Sequence, residues 1–215
     1  MSVVIAARYK DGIAIAGDKQ ATIGNTKSDN ATKLKFFNDS RSCIGVVGYL
    51  RDCNVMRTVD EMISPGDILH RTEVDEEYVI KKVVPSIITT LLNNKRVSDV
   101  SGVIEMHSNM LYITPKRMFY IGSDFGVIEA EGNFEVIGCG NEKVIGYMSK
   151  LEDTSNFTKE QIVDVLAEAI QVACEKDIYI NERMDIAFCE RELPKLTRGT
   201  EKALCLKQKG GIENE

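Results

Sequence analysis

Ser2-Val3-Val4-Ile5-Ala6-Ala7-Arg8-Tyr9-Lys10-Asp11-Gly12-Ile13-Ala14-Ile15-Ala16-Gly17-Asp18 is the stretch whose reading decides the fold. Val3 to Ala7 is a β-branched and alanine run, as expected of a buried strand. Asp11-Gly12 is a hairpin signal, and Gly12 to Gly17 reads as the partner strand. Asp18 is expected at its end, where a side chain can point into a cleft. Ser2 is a hydroxyl residue at the very start of a buried strand. Once Met1 is removed, Ser2 carries a nucleophile and a base on one residue. A free α-amine has a reference pKa of about 7.7–8.0, close to working pH and suited to general-base catalysis. An N-terminal amine is a known activator of a weak hydroxyl nucleophile. The small Ser2 side chain suits removal of Met1.

Working outward, Lys33 to Phe37 and Ser42 to Val47 read as a second strand pair around Asn38-Asp39-Ser40. Leu50, Cys53, Met56, Val59 and Met62 keep helical spacing, which predicts a helix over Arg51 to Ile63, stopped by Ser64-Pro65-Gly66. A second helix is predicted from Val74 to Leu92. Its apolar stripe is wide, and Pro85 is expected to kink it. Strands follow at Gly102–Met106, Met110–Thr114, Met118–Ile121 and Phe134–Ile137. A third helix is expected over Gly140–Leu151. Thr158 and Gln161 form a capping box that opens a fourth. Arg183–Cys189 and Ala203–Leu206 read as closing strands. The segment from Lys207 is polar and expected to be a mobile tail.

The 215 residues fit one domain, expected to span 1–206 with a polar flexible tail at 207–215. With 43% hydrophobic and 28% charged residues, the composition is that of a globular protein. A formal net charge of −6 argues against nucleic acid and anionic membranes as partners, since both call for basic patches. No apolar run reaches membrane-spanning length, and no signal peptide is visible. The six scattered cysteines form no C-x-x-C pair and are read as reduced thiols of a cytoplasmic protein. The two histidines, His70 and His107, are too few for a histidine-based metal site or triad.

Ile15-Ala16-Gly17-Asp18, Gln20-Ala21-Thr22, Gly24-Asn25-Thr26 and Lys33 together resemble the N-terminal-nucleophile (Ntn) hydrolases, specifically the proteasome β-type subunits and HslV-like peptidases. The resemblance covers about the first 55 residues and returns at Gly138-Cys139-Gly140. It implies an α+β fold, a four-layer α/β/β/α sandwich of two antiparallel sheets flanked by helices. It also implies roles. Ser2 is the nucleophile, Lys33 the cation beside it, and Asp18 the group that orients Lys33. The spacing to Phe36-Phe37 picks Lys33 over Lys35. Gly48, where the strand Gly45–Gly48 leads into a helix, is the oxyanion donor through its backbone N–H. Cys139 stands where the family carries a serine and is a weaker hydrogen-bond partner. Asp177 falls at the family's supporting aspartate. Ala21, Thr32, Val46 and Leu50 match positions lining the first specificity pocket. No cofactor and no metal are expected.

The implied activity is peptide-bond hydrolysis inside a homo-oligomeric ring. The implied partners are a peptide or unfolded-protein substrate and an ATP-dependent unfoldase. Two other readings come from the same residues: an Ntn amidase acting on a small amide, and a non-catalytic ring or scaffold subunit.

Overall fold

The computed structural model describes residues 2–24, 26–95, 98–100, 103–151, 153–175, 177 and 180–191. The strand expected at Ala203–Leu206, the boundary at 206 and the tail from Lys207 lie outside the described residues.

The opening hairpin forms as the sequence predicts. Strand β1 (Val3–Tyr9) pairs antiparallel with β2 (Gly12–Asp18). Lys10 and Asp11 make the two-residue turn, and Gly12 is already paired with Tyr9. Its glycine identity therefore answers to something other than the turn. A Cβ on Gly12 would lie 2.1 Å from the Cys189 carbonyl oxygen of a neighbouring strand. Beyond β2 come β3 (Ala21–Ile23) and β4 (Thr26–Ser28), a small hairpin the sequence reading missed. Then follow β5 (Leu34–Phe37), β6 (Ser42–Gly48) and helix α1 (Leu50–Met56). Helix α2 (Pro65–Leu69) and a long helix α3 over 76–93 precede β7 (Ser98–Val100) and β8 (Val103–Glu105). Next are β9 (Ser108–Ile113), β10 (Met118–Ile121), β11 (Val127–Glu129) and β12 (Phe134–Gly138). Helices α4 (Asn141–Met148) and α5 (Lys159–Cys174) and strand β13 (Met184–Glu190) complete the described chain.

Two antiparallel sheets result, in the orders β12-β1-β2-β13 and β11-β10-β9-β6-β5. Because side chains alternate along a strand, β1 serves two cores. Val3, Ile5 and Ala7 pack against Val144 of α4 and Ile162, Leu166 and Ile170 of α5. Val4 and Ala6 face the other sheet, meeting Cys43, Val47, Leu111 and Ile113. Ile44 and Val46 of β6 turn outward to Cys53 and Met56 of α1 and Val83 and Ile87 of α3. Helices, sheet, sheet, helices is the α/β/β/α order. A strand buried on both faces reads as a continuous apolar run, which is why β1 and β2 were legible.

Two expectations are corrected. The helix predicted to Ile63 ends at Met56. Beyond it the Thr58 hydroxyl donates to the Val55 carbonyl at 2.7 Å. The Glu61 carboxylate accepts the Ser40 and Met62 N–H groups and draws this segment over the β5–β6 turn. Val59, Met62 and Ile63 still reach the core from irregular backbone, so their apolar pattern mimicked a helix. Ser64-Pro65-Gly66 starts a helix rather than stopping one. The Ser64 hydroxyl accepts the Asp67 N–H, and Pro65 occupies the first turn, where its missing N–H costs nothing. In α3 a π-turn, Val79–Val83, precedes Pro85, and the Val84 N–H reaches back to the Val79 carbonyl. The wider turn accommodates Pro85, which has no N–H to donate. Along that helix Val79, Val83, Ile87 and Leu91 are buried while Ile80 and Leu92 stay exposed.

The fold predicts an asymmetry between glycines. Gly12→Ala forces β13 away from β2 and should lower unfolding free energy by about 1–3 kcal/mol, as over-packing does. Gly66→Ala, with open space around it, should change stability by less than about 0.5 kcal/mol. Parallel denaturant titrations read both; equal midpoints would contradict the packing argument.

Candidate active site

The end of β2 delivers Asp18 into the interior. The carboxylate is fully buried. A buried carboxylate is tolerated only when it is paired and hydrogen-bonded, and Asp18 is both. Its Oδ1 accepts the Val3 N–H at 2.8 Å and lies 2.6 Å from Lys33 Nζ. Its Oδ2 accepts the Gln20 N–H at 3.0 Å. One carboxylate thus joins the residue after Ser2 to the lysine that leads into β5.

Lys33 is 4% exposed. Its ammonium also donates to the Gln20 carbonyl at 2.8 Å. Among the described residues these two acceptors use two of its three N–H bonds. The Lys33 backbone is anchored too, its carbonyl accepting the Val46 N–H at 3.0 Å. Burial pushes the Lys33 ammonium below its ordinary pKa, while the Asp18 charge and hydrogen bond oppose that shift. Lys35, the rival lysine, sits half-buried on β5 with its ammonium 5.7 Å from the Phe37 ring centre. It takes no part in this cluster.

Ser2 is itself 7% exposed. Its carbonyl accepts the Cys139 N–H at 2.8 Å. That contact needs Gly138, which has φ +101° and whose Cβ would lie 2.0 Å from the Ser2 oxygen. Asp177 follows α5; its N–H donates to the Cys174 carbonyl at 3.2 Å, and its carbonyl accepts the Ile180 N–H at 3.2 Å. The structure therefore gathers Ser2, Asp18, Lys33 and Cys139 from four segments, with Asp177 just past the end of α5. Gly48 ends β6, two residues beyond the Val46 bonded to Lys33, and is exposed with φ +136°.

The four pocket positions differ in setting. Ala21 is buried at the start of β3, Thr32 is half-buried in the loop before β5, and Leu50 is half-buried at the first residue of α1. Val46 is 1% exposed and packs into the core beneath α1.

Sequence reasoning missed the brace around the loop after Asp18. Lys19 pairs with Asp185 at 2.7 Å, and its N–H donates to Asn181 Oδ1 at 3.1 Å. A pairing across that much chain leaves no local signal. It also missed Cys174, which feels the fields of Asp18 and Lys33. Burial pushes its thiol up to about 11, with Asp18, Glu182 and Asp177 adding to the shift and Lys33 opposing it. Cys53 is likewise pushed up to about 11 by burial. Both stay protonated near neutral pH, so neither competes as a thiolate nucleophile. Among the described residues no group of three or more His, Cys, Asp or Glu is placed to hold a metal ion. Nor is any of their helices long and apolar enough to cross a membrane.

Known proteins share this arrangement of elements. The chain is 23% identical over 199 residues to a proteasome subunit beta of Methanococcus maripaludis, covering 87% of this chain and 82% of that one. It is 20% identical over 183 residues to proteasome subunit beta 1 of Thermococcus gammatolerans, covering 85% and 86%. Among solved structures, HslV from Trypanosoma brucei superposes with a TM-score of 0.61 at 20% identity, over 87% of this chain and 99% of that one. Anbu, described as an ancestral beta-subunit, from Yersinia bercovieri superposes with a TM-score of 0.62 at 16% identity, over 87% and 81%. The family model described as Proteasome subunit matches residues 2–189. A match over that much of the chain, on this four-layer fold, means that the chain belongs to the proteasome subunit family.

Proposed function

We propose that this chain is a catalytic ring subunit that hydrolyses peptide bonds with Ser2, exposed as the N-terminal residue by removal of Met1, as its nucleophile. The observation that carries the reading is Asp18, whose single carboxylate ties the Val3 N–H and the Lys33 ammonium together next to Ser2. The Ser2 hydroxyl attacks the peptide carbonyl carbon while its own α-amine takes the hydroxyl proton. The tetrahedral oxyanion is met by the Gly48 N–H. The C–N bond breaks as the α-ammonium returns the proton to the leaving amine. Water, activated by the same amine, then hydrolyses the Ser2 ester. Charged Lys33 lowers the cost of negative charge on the Ser2 oxygen, and Asp18 holds Lys33 in place. Cys139 and Asp177 are assigned supporting roles around the nucleophile. Ala21, Thr32, Val46 and Leu50 line the first specificity pocket. The substrate is a peptide or unfolded protein delivered into a homo-oligomeric ring of the cytoplasm, with an ATP-dependent unfoldase as partner.

Protein from its own host should have the mass of a chain beginning at Ser2, and Ser2→Ala should abolish cleavage of fluorogenic peptide amides. Lys33→Ala should cost roughly 10³-fold in kcat, the scale of losing a fixed charge at an oxyanion. It should also cost about 3–5 kcal/mol of stability, because it strands the buried Asp18. Lys35→Ala should keep nearly full activity. Retention of Met1, or equal losses from the two lysine variants, contradicts this reading. Turnover of small amides without peptides would make it an amidase.

The pH profile should be a bell. Its rising limb follows deprotonation of the Ser2 amine near about 7.7–8.0. Its falling limb follows deprotonation of Lys33 and lies below the ordinary lysine value of 10.5. In that upper window the folded protein binds fewer protons at Lys33 than the unfolded chain does. The Lys33 contribution to stability therefore rises with pH there, and the lost activity is not unfolding. A rate that climbs steadily past 10.5 rules out a role for the charged form.

Exposed Ile80 and Leu92 on the outer face of α3 fit contact with a neighbouring subunit. Sedimentation should show an assembly many times 24.0 kDa. A single 24.0 kDa species at all concentrations contradicts the ring.

A further inference from the structure

One buried polar cluster beside the site has no part in the mechanism above. Asp52, on the first turn of α1, is fully buried. Ser108, the first residue of β9, is 3% exposed and lies opposite Gly48 in the sheet. The Ser108 hydroxyl donates to Asp52 Oδ2 at 2.7 Å. The Ser108 hydroxyl oxygen in turn accepts the Tyr49 N–H at 3.2 Å. The Asp52 N–H closes the circuit by donating to the Tyr49 carbonyl at 2.9 Å.

The circuit grips both peptide units that flank Tyr49: its N–H, in the unit shared with Gly48, meets Ser108, and its carbonyl meets the Asp52 N–H. A hydroxyl has one proton and two lone pairs. Committing the proton to a charged carboxylate, the stronger kind of acceptor, turns a lone pair toward the Tyr49 N–H. Gly48 is held from the other side. At φ +136° it adopts a conformation reserved for glycine, and a Cβ there would lie 2.4 Å from both the Ser108 oxygen and the His107 carbonyl oxygen. Backbone this constrained has little freedom left to reorient the Gly48 N–H.

We infer that Asp52 and Ser108 are positioning residues for acyl transfer, a buried relay that holds Gly48 in the orientation in which its N–H meets the developing oxyanion. This rests on the reading of Gly48 as oxyanion donor. Neither residue touches substrate. A donor aimed at charge that exists only in the transition state acts on kcat and leaves ground-state binding alone.

The test uses the assembled protein and a short fluorogenic peptide amide. Ser108→Ala should lower kcat about 10- to 100-fold, less than outright loss of an oxyanion donor, with KM changed by less than about threefold. Asp52→Asn, whose amide oxygen still accepts from Ser108, should recover most of the rate that Asp52→Ala loses. The double variant Ser108→Ala/Asp52→Ala should lose no more than the worse single one, as groups acting as a unit do. A peptide boronate, which forms a tetrahedral adduct on Ser2, should weaken by the same factor as kcat/KM. Thermal unfolding monitors the fold separately. Should Asp52→Ala fail to assemble, Ser108→Ala and Asp52→Asn still decide. An unchanged kcat in folded Ser108→Ala, or a rise in KM alone, overturns the relay. Absence of Ser2-dependent turnover in the unaltered protein overturns the peptidase reading, and the relay with it.

Discussion

The Asp18 carboxylate is the constraint on which the rest of the site depends. It is fully buried, so every polar contact it makes stands in for lost water. Its partners come from the start of β1, the loop after β2 and the residue before β5. One anion thereby fixes the strand carrying Ser2 against the strand pair carrying Lys33. The pair is held with a neutral overall charge, which makes its burial tolerable. The arrangement adds little net stability, as buried ion pairs generally do, yet loss of one partner is severe. It is better understood as specifying a geometry than as strengthening a fold.

That geometry needs a rigid frame, and the two stacked sheets supply it. β1 and β2 are buried on both faces, by helices on one side and the second sheet on the other. Close packing of this kind leaves few alternative arrangements. The site is built at the strand ends, where backbone groups emerge from the ladder unpaired and become available as donors. Gly138 and Gly48 occur at two such ends, both with positive φ. In each case the missing Cβ lets backbone or a hydroxyl approach more closely than a side chain would allow.

The surroundings of Lys33 also explain why a hydroxyl rather than a thiol is the candidate nucleophile here. Cys53 and Cys174 lie within the field of Lys33, yet burial keeps both protonated. Ser2 has the advantage of carrying its own amine once Met1 is gone. Cys139 contributes through its backbone N–H, which a serine at that position would offer equally. The substitution of sulfur for oxygen therefore leaves the anchoring of Ser2 intact.

The opening hairpin, the capping box at Thr158 and Gln161, and the spacing from Ser2 to Asp18 to Lys33 were all legible in the sequence, because each is a local pattern with a local cause. Fold class followed from the same patterns together with the family resemblance. The end of α1 at Met56, the helix begun by Ser64 and the π-turn before Pro85 were not legible. At Met56 long-range contacts from Glu61 and the core outweigh apolar spacing, whereas Ser64-Pro65 is a local start signal that was taken for a stop. The sequence also marked Asp18, Lys33 and Gly48, and the family resemblance set Asp18 against Lys33, without revealing the backbone contacts that hold them. The Asp18–Lys33 contact, the Cys139 N–H on Ser2, the Lys19–Asp185 brace and the Asp52–Ser108 circuit all join residues from separate segments. Which groups meet in each case depends on which strand ends the stacked sheets bring side by side, and burial then turns those meetings into obligatory hydrogen bonds. The sequence by itself marked the candidate site residues and the elements on which they ride. Only the tertiary structure decided their partners, because desolvation, which makes a buried charge demand a partner, exists only once the sheets have closed over it.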